Sequence, residues 1–200
     1  MLSIRLILNR DPGYMRSFGV DIVGLIFARG EDMIEKPILD ACCGGKMFWF
    51  DKQNPNVEFC DKRVVEKKMV GEGRNARAFE CNPDTVADFK NLPFADESFH
   101  LVVFDPPHLL RAGKEKSYMA QKYGTLPKDW KTEIHDGFHE CMRVLKPNGT
   151  LIFKWNEVQI TVTEIKKAIG VDPLFGHISG KKSNTHWLCF MKMPVGRDAF

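Results

Sequence analysis

The stretch LVVFDPPHLL, residues 101–110, decides how the chain is read. Leu101 to Phe104 form an apolar, β-branched and aromatic run bounded by ADES (95–98) on one side and by prolines on the other, so it reads as a buried strand. The strand ends at Asp105. Pro106 and Pro107 then fix φ and offer no backbone donor, and His108 follows. In isolation such a tetrapeptide is most simply a strand-terminating turn with an exposed acid and ring. What lies on either side determines whether it is a site instead.

Working outward, PILDAC (37–42) reads as a short buried strand that runs into Asp40 and a glycine-containing turn, DACCGGK (40–46). KMFWFD (46–51) is expected to open a helix. NVEFCD (56–61) is a second strand ending in Asp61, and DTVADF (84–89) a third carrying Asp88. The segment 62–78, with Lys62, Arg63, Lys67, Lys68, Arg74 and Arg77, reads as a solvated loop or short helix. Beyond the opening stretch, Ile134, Phe138, Cys141, Met142 and Leu145 give a helix from about Asp129 to Leu145 one apolar face. Asp129 is its expected cap. KPNG (146–149) ends it and TLIFKW (150–155) is a fifth strand. VTEIKKAIG (162–170) is a short helix stopped by Gly170. PLFGHIS and HWLCFMK form a closing hairpin around GKKSNT. Strands alternating with helices imply an α/β fold with a mostly parallel sheet and helices on both faces, plus one antiparallel strand from the hairpin. Ligands in such sheets bind at the carboxyl ends of strands. Asp40, Asp61, Asp88 and Asp105 all fall there.

Composition bounds the rest. With 200 residues and 44% hydrophobic content the chain suffices for one domain with a full core. The pattern is complete from residue 33, so 1–32 reads as an N-terminal extension to a domain spanning 33–200. A net charge of +3 permits an anionic partner without requiring one. The six cysteines include no C-x-x-C pair, which argues against zinc and for a reducing, cytoplasmic setting. His135 and His139, spaced i, i+4, lack a third ligand, so no metal is expected. No apolar run is long enough to span a membrane. Nothing in the pattern specifies an oligomeric state.

The turn after the first strand has small residues that let backbone approach a ligand. Asp61 lies 21 residues past Asp40, the distance at which an acid suits the hydroxyls of a ribose. The glycine pattern is weak alone, because Cys42 stands where a glycine is expected.

Taken together, ILDACCGG, VEFCD and VADFKNLPFADESFHLVVFDPPH resemble the class I S-adenosylmethionine-dependent methyltransferases, over roughly residues 36–192. NLPFADESF and DPPH are the most specific parts. CCGGKMFWFD and HWLCFMK also resemble small methyltransferases of phages and prophages. DPPH is similar to the D-P-P-Y signature of amino-methyltransferases, with His108 in place of tyrosine. Lys46 replaces the last glycine of the turn. The resemblance implies a Rossmann-like, doubly wound, seven-stranded sheet with S-adenosyl-L-methionine as cofactor. Asp40, Ala41, Cys42 and Gly44 would shape the methionine pocket and Asp61 would hold the ribose. Asp88 would meet the adenine amine, with Phe89 against the ring. Asp105, Pro106, Pro107 and His108 would be catalytic.

The opening stretch then has a chemical reading. The lone pair of an exocyclic amine is delocalised into its ring. The Asp105 carboxylate and the Pro106 carbonyl, each accepting one N–H, would localise it, while His108 stacks on an extruded base. The expected acceptor is a base of DNA or RNA, with adenine N6 favoured. His108, Arg111, Lys114, Lys116 and Tyr118 are the expected substrate contacts, within a basic stretch that continues to Lys122, Lys128 and Lys131. A protein side chain or small molecule is the alternative acceptor, and a non-catalytic module with the same fold the third reading.

Overall fold

The structure is a computed structural model and describes residues 36–71, 73–111, 118–178 and 184–194. The expected extension 1–32 lies outside them, as do Lys114 and Lys116. The strands are β1 (Ile38–Asp40), β2 (Val57–Asp61), β3 (Val65–Val70), β4 (Arg77–Cys81), β5 (Thr85–Val86), β6 (Phe99–Phe104), β7 (Leu145–Asn156), β8 (Phe175–Ile178) and β9 (Thr185–Met191). The helices are α1 (Tyr118–Tyr123), α2 (Trp130–Val144) and α3 (Val162–Ile169).

Seven strands form one sheet in the order β5-β2-β1-β6-β7-β9-β8. The first five of these run parallel. β9 is antiparallel to both β7 and β8, so the closing hairpin inserts one reversed strand between two parallel ones. This is the mostly parallel, Rossmann-like α/β sheet expected from the sequence.

The expected apolar face of α2 builds the core. Ile134, Phe138, Cys141 and Val144 are fully buried, as is Leu145 just beyond. Phe138 meets Phe190 edge-on at 4.9 Å, and Phe104 lies 5.1 Å from Phe153. Burying each such ring stabilises the fold by about 1.5–3 kcal/mol. Asp129 stands at the N-cap of α2 but makes no side-chain cap bond. In α3, Thr161 and Glu164 form a capping box, and Gly170 ends the helix in the left-handed region at φ 73.

The NLPFADESF stretch is a structural clamp. Arg143 on α2 donates to the carbonyls of Phe94 (2.9 Å) and Leu92 (3.1 Å) and pairs with Asp96 at 2.6 Å. Glu140 accepts from the Leu92 N–H at 2.8 Å. Together they fix the entry to β6.

Four local expectations are corrected. Residues 46–51 form turns and no helix: Lys46 adopts a left-handed φ of 53, and the Trp49 indole is drawn inward onto Asp40. The segment 62–78 contains β3 and the start of β4, an antiparallel hairpin joined through a 3-10 turn. Its own small core is Val70, Phe79 and Cys81, while the middle of β3 is exposed, so charge hides its period-2 pattern. The third strand shortens to Thr85–Val86. The fifth begins at Leu145, directly after the helix, with Asn148 at φ 64 where the ladder shifts register.

Gly137 lets α2 close on the sheet. A Cβ there would stand 2.5 Å from Phe89 Cδ2 and 3.0 Å from Phe104 Cζ. Gly137→Ala is therefore expected to destabilise by about 1–2 kcal/mol, because overpacking of about 1–3 kcal/mol outweighs a helix-propensity gain of at most about 1. Equilibrium urea unfolding measures it, and a stabilised variant would show that Phe89 yields freely.

Candidate functional site

The strand order reverses between β1 and β6, so the crevice at their carboxyl ends is the expected ligand position. The register places Asp40 opposite Val103. Asp105 therefore reaches two residues further out than Asp40. A cavity of about 320 Å³ opens there, within the size range of small-ligand sites. Its wall brings together Cys42, Gly44, Asp61, Phe89 and the whole run Asp105–His108.

Asp40 and Ala41 lie beneath this wall and are buried. Asp40 accepts from the Trp49 indole N–H at 2.7 Å and the Cys42 N–H at 3.3 Å. Burial pushes its carboxyl up to about 7, helped by Asp105 and Asp61, against the lowering effect of the two donors. The Ala41 N–H donates to the Val103 carbonyl at 3.0 Å, fastening the turn to β6.

Asp61, at the end of β2, takes the Gly44 N–H on Oδ2 at 2.9 Å. Gly44 has φ +48, a conformation that suits glycine. Arg63 closes over the same carboxylate through its backbone N–H (2.9 Å), Nε (3.1 Å) and Nη2 (3.3 Å). Its Nη1 reaches the Lys122 carbonyl at 3.3 Å. The guanidinium thus bridges the end of β2 to α1. A ribose diol seated on Asp61 has to displace this long, partly exposed side chain, while the Gly44 amide stays. Phe89, buried in the core edge-on to Phe104, adds apolar surface to the wall, and on these grounds the pocket suits a nucleoside-bearing cofactor.

Asp105 is paired with Lys154 of β7, Nζ to Oδ2, at 2.6 Å. Burial raises its pKa, opposed by Lys154 and by His108. Burial lowers that of His108, opposed by Asp105. The His108 ring lies 6.0 Å from Tyr123 and 6.3 Å from Trp155, facing the cavity from a partly aromatic seat.

Other expected residues lie elsewhere. Asp88 is off the wall; it accepts from the Lys90 N–H at 3.0 Å and stands 3.6 Å from Lys62. The Arg111 N–H donates to Gln159 at 2.9 Å away from the cavity. Tyr118 packs on the hairpin core, and its hydroxyl accepts from Lys122 at 2.9 Å. Sequence reasoning misses Lys154 and Arg63 as site residues, and it places Lys122 in a substrate-facing basic stretch and not in the cavity wall. Only Lys154 carries a signal, a lone cation in an apolar strand one position past the residue level with Phe104.

Ligand atoms of Cys43, Asp61 and Cys81 lie within 4.8 Å of one another. The Arg63 cation on Asp61 makes that corner unfavourable for a metal ion. All six cysteines are free thiols. Among the described residues no helix is long and apolar enough to cross a membrane.

No family model matches the chain, and no curated protein matches it. The PH0226 protein from Pyrococcus horikoshii OT3 aligns at 14% identity over 78% of this chain and 81% of its own, with a TM-score of 0.46. TTHA0409 of Thermus thermophilus, a candidate DNA modification methylase crystallised with S-adenosyl-L-methionine, aligns at 18% identity and a TM-score of 0.34. That alignment covers 54% of this chain and 53% of that one, so the chain spans about half of its length. Both likenesses are distant, and the functional reading rests on the residues of the site itself.

Asp40 has a folded pKa above its unfolded value near 3.8. Its protonation therefore favours the fold, and the contribution is full below 3.8 and lost as pH rises through about 7. Asp40→Asn removes this term. The stability difference, wild type minus variant, is expected to fall across that window by up to about 1.4 kcal/mol per pH unit. Urea unfolding as a function of pH measures it, and a flat difference would show that Asp40 stays ionised throughout.

Proposed function

We propose that the chain is an S-adenosyl-L-methionine-dependent methyltransferase acting on an exocyclic amine of a nucleic-acid base, with adenine N6 the favoured target. The observation that supports this most is the meeting, in one cavity, of Asp61 with the Gly44 N–H and of Asp105 with Pro106 and His108. The first pair suits a ribose and the second an amine.

The cofactor supplies an electrophilic methyl group. Gly44 and Asp61 would hold its ribose once Arg63 swings aside, and Phe89 would flank its base. Asp105 has one oxygen on Lys154 and another, Oδ1, that makes no hydrogen bond among the described residues. Oδ1 accepts one N–H of the amine and the Pro106 carbonyl the other. This localises the lone pair on the nitrogen, against its delocalisation into the ring, and aligns it for transfer. Oδ1 is then also the acceptor at hand for the amine proton. His108 stacks on the base. Lys154 offsets the cost of ionising a buried carboxylate.

Titration calorimetry with S-adenosyl-L-methionine and tritiated-methyl transfer to DNA, RNA and protein pools test the reading. Label is expected in nucleic acid. Asp61→Ala is expected to weaken cofactor binding by about 1.5–3 kcal/mol. Asp105→Ala abolishes labelling and leaves cofactor affinity nearly unchanged. Label confined to protein, or full turnover by Asp105→Ala, would overturn the assignment.

A pH profile examines Lys154 separately. Asp105 must be ionised to accept an N–H, so activity falls as pH drops through its raised pKa. In Lys154→Met that pKa rises further, and the acidic limb of kcat/KM should move to higher pH. An unmoved limb would show that Lys154 does not govern the carboxylate.

A further inference from the structure

A second and larger cavity, about 660 Å³, opens beside the first. The two share Gly44, Gly45, Met47 and Lys122 in their walls. The larger one runs between the loop after β1 and the β3–β4 hairpin. Lys36, Lys46, Lys52, Lys67 and Lys122 line it, against the acids Glu80 and Asp84. Lys36 is taken up by Glu58 (2.8 Å) and Asp84 (2.7 Å). The others carry the excess of positive charge. Lys46 stands 3.9 Å over the Phe59 ring and 4.0 Å from Asp84. Lys52 gives one hydrogen bond to the Gly45 carbonyl at 3.1 Å, out of three an ammonium can donate. Lys67 projects from the exposed stretch of β3.

The same loop holds two apolar side chains that pack on little: Met47, in the wall of both cavities, and Phe50, which lies outside either wall. Phe50 is fully exposed and Met47 is 58% exposed. They sit between Lys46 and Lys52 in the sequence KMFWFDK, 46–52. The other aromatics of the loop are spent inside: Phe48 lies against Trp187, and Trp49 against Phe59. Phe50 therefore is not a core residue displaced by poor packing. Lysines flanking an unpacked ring are the arrangement that tracks a phosphate backbone while stacking an unpaired base.

We propose that this groove and the exposed loop beside it bind a single strand of nucleic acid, with phosphates on Lys46, Lys52 and Lys67 in the groove and a base on Phe50 outside its wall, and lead the strand into the Asp105 pocket. The proposal rests on the methyltransferase reading for the direction of travel, though the binding itself does not. A strand entering here delivers a base already free of its stack, which chemistry on an exocyclic amine requires.

Fluorescence anisotropy of labelled oligothymidylate and of an RNA counterpart with the full chain, between about 50 and 200 mM salt, tests this. Binding by the wild type is expected to weaken steeply with salt. In the Lys52→Gln, Lys67→Gln double variant the slope of log K against log salt should flatten by about 1.4, two contacts at about 0.7 each. Phe50→Ala should weaken binding about fivefold or more with the slope unchanged. These residues lie outside the proposed cofactor pocket, so calorimetry with S-adenosyl-L-methionine should give wild-type affinity in both variants. Oligonucleotide binding unaltered by either variant overturns the groove. So does a polyglutamate probe that binds as tightly and is weakened equally by Phe50→Ala, which would assign the surface to an acidic protein segment. A wild type that holds oligonucleotide in this manner but never S-adenosyl-L-methionine leaves the groove standing and removes the methyltransferase reading instead.

Discussion

The hydrogen bond from the Trp49 indole to the buried Asp40 carboxylate, 2.7 Å long, sets the shape of the site. Asp40 ends the central strand β1 with no access to water. A carboxyl in that position must find donors inside the protein. It finds them in the loop after β1, and so the loop bends back on itself. Trp49 settles against Phe59 at 5.4 Å, and Lys46 takes a left-handed turn. Once the loop is tied down, the Gly44 amide points at Asp61, Met47 and Phe50 face outward, and both cavities acquire their common wall. A helix over 46–51 would satisfy its own amides and leave Asp40 with one donor fewer.

Two further carboxylates share the crevice, and each is answered by a cation from another position. Asp61 has Arg63, and Asp105 has Lys154. An unpaired carboxylate in such a place would cost several kcal/mol or take up a proton. For Asp105, Lys154 opposes the rise in pKa that burial causes. The partners differ in kind. Arg63 sits on the loop just past β2 and spans to α1, so displacing it changes the mouth of the pocket. Lys154 rises from the middle of the sheet, flanked by the rings of Phe48 and Trp187, and is held in place. The first pairing is one a ligand can replace. The second is fixed by its place in the sheet.

Of the two stretches most specific to the family resemblance, DPPH lines the cavity and NLPFADESF does not. Arg143 and Glu140 clamp the latter to α2 and thereby set where β6 begins. Its contribution to function is indirect: a fixed start to β6 fixes the height at which Asp105 leaves the sheet.

The local patterns that survive into the structure are those whose cause is local. The run 101–104 makes a strand because β-branched and aromatic side chains suit a buried pleat, and Asp105 ends it because prolines follow. The α2 face is legible from 3.6-residue spacing and the end of α3 from Gly170. The sheet class follows from the alternation of such segments. Asp61, Asp105 and the turn at Gly44 are readable as pocket residues because strand ends converge on one rim, whereas Pro106, His108 and Phe89 are legible only through the family resemblance. What tertiary structure alone decided concerns partners far apart in the chain. Lys154 meets Asp105 only because β6 and β7 are parallel neighbours in a given register. Trp49 turns inward only because Asp40 is buried. The β3–β4 hairpin forms through the pairing of two strands whose exposed charges conceal their alternation. Asp88 sits off the wall because β5 stops at Val86, so the chain has already turned away where the acid falls. Hydrophobic spacing fixes which face of a segment is buried. It says nothing of which distant charge or donor will lie across from that face, and the chemistry of this site resides in those encounters.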